Sequence, residues 1–134
     1  MLSALFSINP VYVSKIFTGE KQYEFRKICC KSKIDKIVIY ETSPICKIVG
    51  EVNVVGVLKE RPEVIWNETY KLSGITYDFF KNYFKDKKLA YAYVLSNAIK
   101  YKTPISLAEI GIKAAPQSFI YLTSEQYNNL HRQL

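Results

Sequence analysis

"TGEKQYEFRK", residues 18–27, sets Lys21, Glu24, Arg26 and Lys27 around the aromatic pair Tyr23 and Phe25. Successive side chains of an extended chain point to opposite faces, so the segment 21–28 alternates as a strand. Tyr23 and Phe25 then share a face that anchors the strand in the core, while Glu24 and Arg26 project together from the other face. On a solvated face such an ion pair is worth about 0–1 kcal/mol and means little. On the concave wall of a bent sheet it is the edge of a binding site. What surrounds the stretch decides between the two.

Upstream, the apolar run at 2–8 predicts a first strand. Pro10 and Gly19 bracket a short helix over 10–19, Pro suiting the first turn and Gly the end. Val11, Ile16 and Phe17 are expected on its buried side, with Tyr12 and Val13 near the edges. Downstream, "DKIVIYET" (35–42) is a β-branched strand stopped by Ser43-Pro44. "KIVGEVNVVGVLKE" (47–60) is a long strand in which Gly50 and Gly56 mark bulges or bends. After Pro62 the period changes to helical over 63–74 and 76–86, with Gly74 ending the first and Thr76 capping the second. Alternation returns over 87–102, where Leu89, Tyr91, Tyr93 and Leu95 are in phase. A helical turn at 105–111, a last strand at 117–123 and a closing helix at 124–134 complete the chain. Strands outnumber regular strand–helix alternations and Gly interrupts them. The pattern predicts one α+β domain over the 134 residues, a strongly bent sheet or small barrel of about six strands flanked by four or five short helices.

The net charge of +7 is concentrated. Residues 21–47 carry seven Lys or Arg against three acids, and residues 81–102 carry six Lys against one Asp. Folded onto one face, these stretches attract phosphates, anionic membranes or acidic proteins, and nucleic acid is the commonest such partner of a small basic domain. The seven Phe, eleven Tyr and single Trp suit sheet cores, and they also suit base stacking. Trp66 and Tyr70, one helical turn apart, are assigned to the core rather than to a stacking platform.

Several chemistries are excluded by residue type. His131 is the one histidine and lies near the C-terminus, so a Ser-His or Cys-His nucleophile system is not expected. Cys29, Cys30 and Cys46 form no C-x-x-C motif, and no zinc or other metal site is expected. The five glycines match neither a P-loop nor a dinucleotide fingerprint, so no cofactor is expected. An odd cysteine count, two of them adjacent, with no export signal in "MLSALFSINP", predicts a reduced cytoplasmic chain. No stretch approaches the ~18–20 apolar residues of a membrane span, and no membrane partner is expected.

Residues 7–26, "SINPVYVSKIFTGEKQYEFR", resemble the opening of ASCH domains, members of the PUA-like superfamily. That family reads G-x-K-x-x-E-x-R after its first helix, which stands in this chain as Gly19, Lys21, Glu24 and Arg26. The resemblance continues through "YETSP" (40–44), "IVGEV" (48–52) and "APQSFIYL" (115–122). It implies a PUA-like β-barrel flanked by helices, with a cleft lined by the motif and a role in binding nucleic acid, usually RNA, sometimes with modified bases.

In such a cleft Glu24 would orient the Arg26 guanidinium, which could grip a phosphate or base edge bidentately. Lys21 reaches the same mouth. Tyr40 and Ser43 close the third strand, and Gln117 and Ser118 begin the last; their amide and hydroxyls suit the reading of a splayed-out base. An enzymatic alternative uses Lys21 and Glu24 as an acid–base pair on a modified nucleoside or RNA. Some ASCH proteins hydrolyse the acetyl amide of 4-acetylcytidine with a Lys, a Thr and a Glu. Lys21 matches the first, Glu24 stands in place of the Thr, and "KLSGIT" (71–76) offers no carboxylate for the third. A third alternative, an acidic protein partner, has no feature of its own.

Overall fold

The computed structural model describes residues 1–134. Six strands, β1 (Ser3–Ile8), β2 (Tyr23–Arg26), β3 (Lys36–Glu41), β4 (Lys47–Glu60), β5 (Ala90–Ile105) and β6 (Phe119–Leu122), form one sheet in the order β2-β5-β4-β3-β1-β6. The β1–β3 pair is parallel and every other pair antiparallel. Four α-helices flank it: α1 (Pro10–Thr18), α2 (Pro62–Thr69), α3 (Tyr77–Tyr83) and α4 (Ser124–Arg132). Single 3₁₀ turns at Tyr70–Leu72 and Leu107–Ile110 complete the α+β architecture. No helix is long and apolar enough to cross a membrane.

The sheet curls into a half-barrel. Phe6 on β1 meets Tyr93 on β5 edge-to-face at 5.3 Å, although β3 and β4 lie between those strands in the sheet. The bending comes from the two longest strands, whose pairing slips beside Gly50 and Gly56. A bulge adds an unpaired residue and increases the local twist. At Gly50 the packing also demands glycine, because a Cβ there would fall 2.6 Å from Phe17 Cζ and would collide with the Ile99 carbonyl.

Ala4, Phe6 and Ile8 pack with Ile37, Ile39 and the α1 residues Val13 and Ile16 on the concave side. Leu5, Val38, Tyr40 and Ile48 pack on the opposite face beneath the Leu107–Ile110 turn and α4. Both faces of β1 and β3 are covered, so these strands are near-continuous apolar runs. A third cluster joins Phe25 to Ile65 of α2 and Phe80 of α3.

One helix phase differs from expectation. Val11 is 59% exposed whereas Val13 is 2% exposed. Asn9 caps α1, its Oδ1 accepting from Val11 N at 3.0 Å, and places Val11 in the exposed first turn. Val13, Ile16 and Phe17 then share the i, i+3, i+4 face that meets the sheet.

Candidate functional site

The two edges of the half-barrel, β2 and the β1–β6 pair, approach each other at Arg26. Its Nε and Nη2 both donate to Glu24 Oε2, at 3.0 and 2.8 Å. Nη2 also donates to Ser7 O of β1 at 3.0 Å, and Nη1 to Ser118 Oγ, just ahead of β6, at 3.1 Å. The guanidinium carbon sits 4.7 Å from the centre of the Phe6 ring. A guanidinium carries five N–H donors, and nearly all are engaged. Arg26 therefore clasps the seam of the half-barrel: Glu24 orients it as expected, but Ser7 O and Ser118 Oγ take donors that were expected for a ligand.

Below this clasp opens a cleft of about 210 Å³. Lys21, Glu24 and Arg26 line it together with Tyr12, Phe25, Phe79 and Tyr83. Lys21 is only 3% exposed, an unusual state for a lysine. Its backbone N–H returns to Lys15 O at the end of α1, which fixes the strand entry. Its Nζ donates to Ser73 O at 2.8 Å and lies 4.7 Å from the centre of the Phe25 ring and 5.4 Å from that of Tyr12. Gly74, at φ +69°, packs on its stem; a Cβ there would come within 2.5 Å of Lys21 Cβ. The 73–76 segment thus holds the lysine in place through its backbone.

Burial pushes the Lys21 pKa down to about 8; Glu24 pulls it back up, while Lys15 and Arg26 lower it further. The ammonium has three donors, one of them taken by Ser73 O. All side-chain donors to Glu24 fall on Oε2, so Oε1 accepts no side-chain hydrogen bond, and Glu24 lines the cleft. Buried Lys21 and Glu24 thus line one cleft with aromatic walls. Phe79 and Tyr83 stack at 6.2 Å and 10° on one side. Burial raises the Tyr12 and Tyr83 phenols above their ordinary values, and both stay protonated donors at neutral pH.

The structure brings Lys21, Glu24, Arg26 and Ser118 together and leaves three other sequence candidates apart. Tyr40 is buried in the apolar cluster beneath α4, on the outer face of the sheet. Ser43 and Gln117 are exposed in connections outside the cleft lining. Tyr12, Phe79 and Tyr83 were not singled out, since an aromatic at helical spacing is as ordinary in a core as at a ligand.

A second polar cluster was also missed. Glu51 of β4, 2% exposed, accepts from Lys36 Nζ at 2.7 Å, Tyr101 OH at 2.5 Å and Tyr127 OH at 2.9 Å. His131 Nε2 lies 2.7 Å from its Oε1. Burial works to raise the Glu51 pKa, but these four partners outweigh it and hold the carboxyl at about 2. Burial and the Glu51 acceptor push the Tyr101 phenol well up. Nowhere are three or more His, Cys, Asp or Glu side chains gathered to hold a metal ion.

The ASCH domain family model matches residues 6–105. Relatives include ATP synthase subunit alpha of Ureaplasma parvum serovar 3, 29% identical over 88% of this chain, and large ribosomal subunit protein uL22 of the same organism, 31% identical over 88%. The chain spans 15% and 38% of those proteins' lengths. An ASCH domain-containing ribonuclease of Zymomonas mobilis is 25% identical over 95% of this chain and 88% of that one. In fold, the chain superposes on the crystal structure of ASCH from Zymomonas mobilis with a TM-score of 0.89 at 22% identity, covering 97% of this chain and 94% of that one.

Proposed function

The chain belongs to the ASCH domain family, and from that premise we propose that residues 1–134 form a single RNA-binding domain that takes one nucleotide into the cleft of Lys21, Glu24 and Arg26. The observation that carries this reading is that the buried Lys21 and Glu24 line one cleft among the rings of Tyr12, Phe25, Phe79 and Tyr83. A cleft of 210 Å³ suits one flat ring. Drug-sized ligands occupy pockets of about 300–1,000 Å³. The donor and acceptor match a base that offers an amino group beside a ring-nitrogen acceptor, which is the edge of cytosine or adenine. Lysines of 21–47 and 81–102 hold flanking phosphates, and Arg26 fixes Glu24 from behind.

Fluorescence anisotropy with labelled single-stranded RNA tests it. Affinity should fall steeply with salt, because each neutralised phosphate releases counterions. Glu24→Gln should weaken binding of cytosine- or adenine-containing strands about tenfold, the scale of one charged hydrogen bond. Salt-independent binding, or none to any RNA or DNA, rejects the proposal.

A second reading rests on the Lys21 pKa of about 8, close to neutrality as acid–base catalysts are, and on the ribonuclease name carried by the Zymomonas relative. In it Lys21 and Glu24 move protons during hydrolysis of RNA or an acylated nucleoside. Turnover unaffected by Lys21→Ala would rule out this site assignment.

A further inference from the structure

Helix α3 separates the cleft from a larger hollow. Phe79 and Tyr83 look into the cleft, while Tyr77, Phe80 and Lys81 line a groove of about 420 Å³ shared with Trp66 of α2. Trp66 is half-buried on its wall, held from behind by Phe80 at 5.0 Å and flanked by Tyr77 at 5.4 Å. Tyr77 is 51% exposed, and Phe79 on the shared helix 45%. Trp66 is thus packed by Tyr70, Tyr77 and Phe80 and still partly exposed on the groove.

Charge decides what fits. Lys81, Lys85 and Lys87 rim the groove, all exposed, against Glu63 and Asp86. Glu63 already has Arg61 Nη1 at 3.6 Å, so the rim is positive. Aromatic faces beside a lysine rim are the combination that holds single-stranded nucleic acid, with bases on the rings and phosphates on the cations. An acidic peptide would use the lysines and leave the rings idle.

We infer that this groove is a second base-stacking subsite, filled by a nucleotide of the same strand whose neighbouring base enters the cleft; it rests on the nucleotide-binding reading above. The two subsites lie on opposite sides of one helix, about 10–12 Å across, so a short single strand spans them.

Trp66 is the single tryptophan, so its fluorescence reports this groove alone. Octaadenylate should quench it on binding, whereas adenosine monophosphate, filling the cleft, should leave it unchanged. The exposed variant Tyr77→Ala should weaken octamer binding by ~5- to 100-fold, the worth of one stacked base, and leave mononucleotide affinity unaltered by calorimetry. An octamer that binds the variant as tightly as wild type, with Trp66 emission unmoved, overturns the groove and spares the cleft. No octamer binding by the wild type removes both. Quenching by polyglutamate but not by octaadenylate gives the groove to a protein and overturns the proposal.

Discussion

The half-barrel carries two buried carboxylates with cations beside them, and they are built to opposite ends. Glu51 has Lys36, two tyrosine hydroxyls and His131 around it, drawn from β3, β5 and α4. Glu24 has one guanidinium on one oxygen, accepts no side-chain hydrogen bond on the other, and lines a cleft that it shares with a buried lysine. The carboxyl at Glu51 is pulled down to about 2, and the lysine at the cleft is pushed down to about 8. Burial opposes charge in both places. At Glu51 the partners overcome it and the carboxyl is held ionised; at Lys21 they do not, and the ammonium gives up its proton more readily.

The comparison breaks most easily at Glu51. Glu51→Ala leaves two hydroxyls, an ammonium and an imidazole without their shared acceptor, and removing one partner of a buried pair typically costs about 3–5 kcal/mol. Urea unfolding should show a loss of that size, with RNA affinity of the folded fraction unchanged. A loss of affinity without a loss of stability would reverse the roles assigned to the two sites.

Acid should do the same work by titration. The folded pKa of about 2 lies below the ordinary 4.5, so the folded state binds the proton later than the unfolded chain does. Stability from this group is present above pH 4.5 and is lost as pH falls from there through 2, amounting to roughly 3 kcal/mol. Glu51→Gln should flatten that part of the stability profile. A profile of unchanged slope would mean that other carboxylates carry the acid transition.

These two regions also differ in how far the sequence announced them. The cleft lies on a local pattern, Gly19 to Arg26, whose alternation and family motif could be followed residue by residue. Long strands and their bulges were equally legible, since a period of two and misplaced glycines are local signals. The Glu51 cluster is assembled across separations of 15, 50, 76 and 80 residues, and no local period encodes it. Tyr40 shows the limit from the other side. A tyrosine at a strand end suits a site or a core equally, and only the curl of the sheet buries it beneath α4. Trp66 divides in the same way, packed among aromatic rings yet partly exposed on a groove.

At the cleft, proton loss from Lys21 should be visible in binding. With its pKa near 8, the ammonium is present at pH 6.5 and gone by pH 9.5. RNA affinity should drop about tenfold over that range, the scale of one charged hydrogen bond. Lys21→Met should bind weakly at both pH values and show no such drop. An identical pH dependence in the variant would place the titrating group elsewhere.

The smallest expected effect separates the sites most sharply, because it is the stability of that same variant. Lys21's folded pKa lies below the ordinary 10.5, so the folded state releases this proton first and the buried ammonium costs stability at neutral pH. That cost is present below pH 8 and fades as pH rises toward 10.5. Methionine keeps the apolar stem against Gly74 and the ring of Phe25 and removes the buried charge. It forfeits the hydrogen bond to Ser73 O, a term of opposite sign. Lys21→Met should therefore leave stability within about 1 kcal/mol of wild type, and above it if desolvation outweighs the lost bond. A cleft residue kept for binding gives up little when replaced by an apolar one of its own shape. Destabilisation on the scale of Glu51→Ala would instead make Lys21 a structural lysine, and the two buried clusters would be one kind.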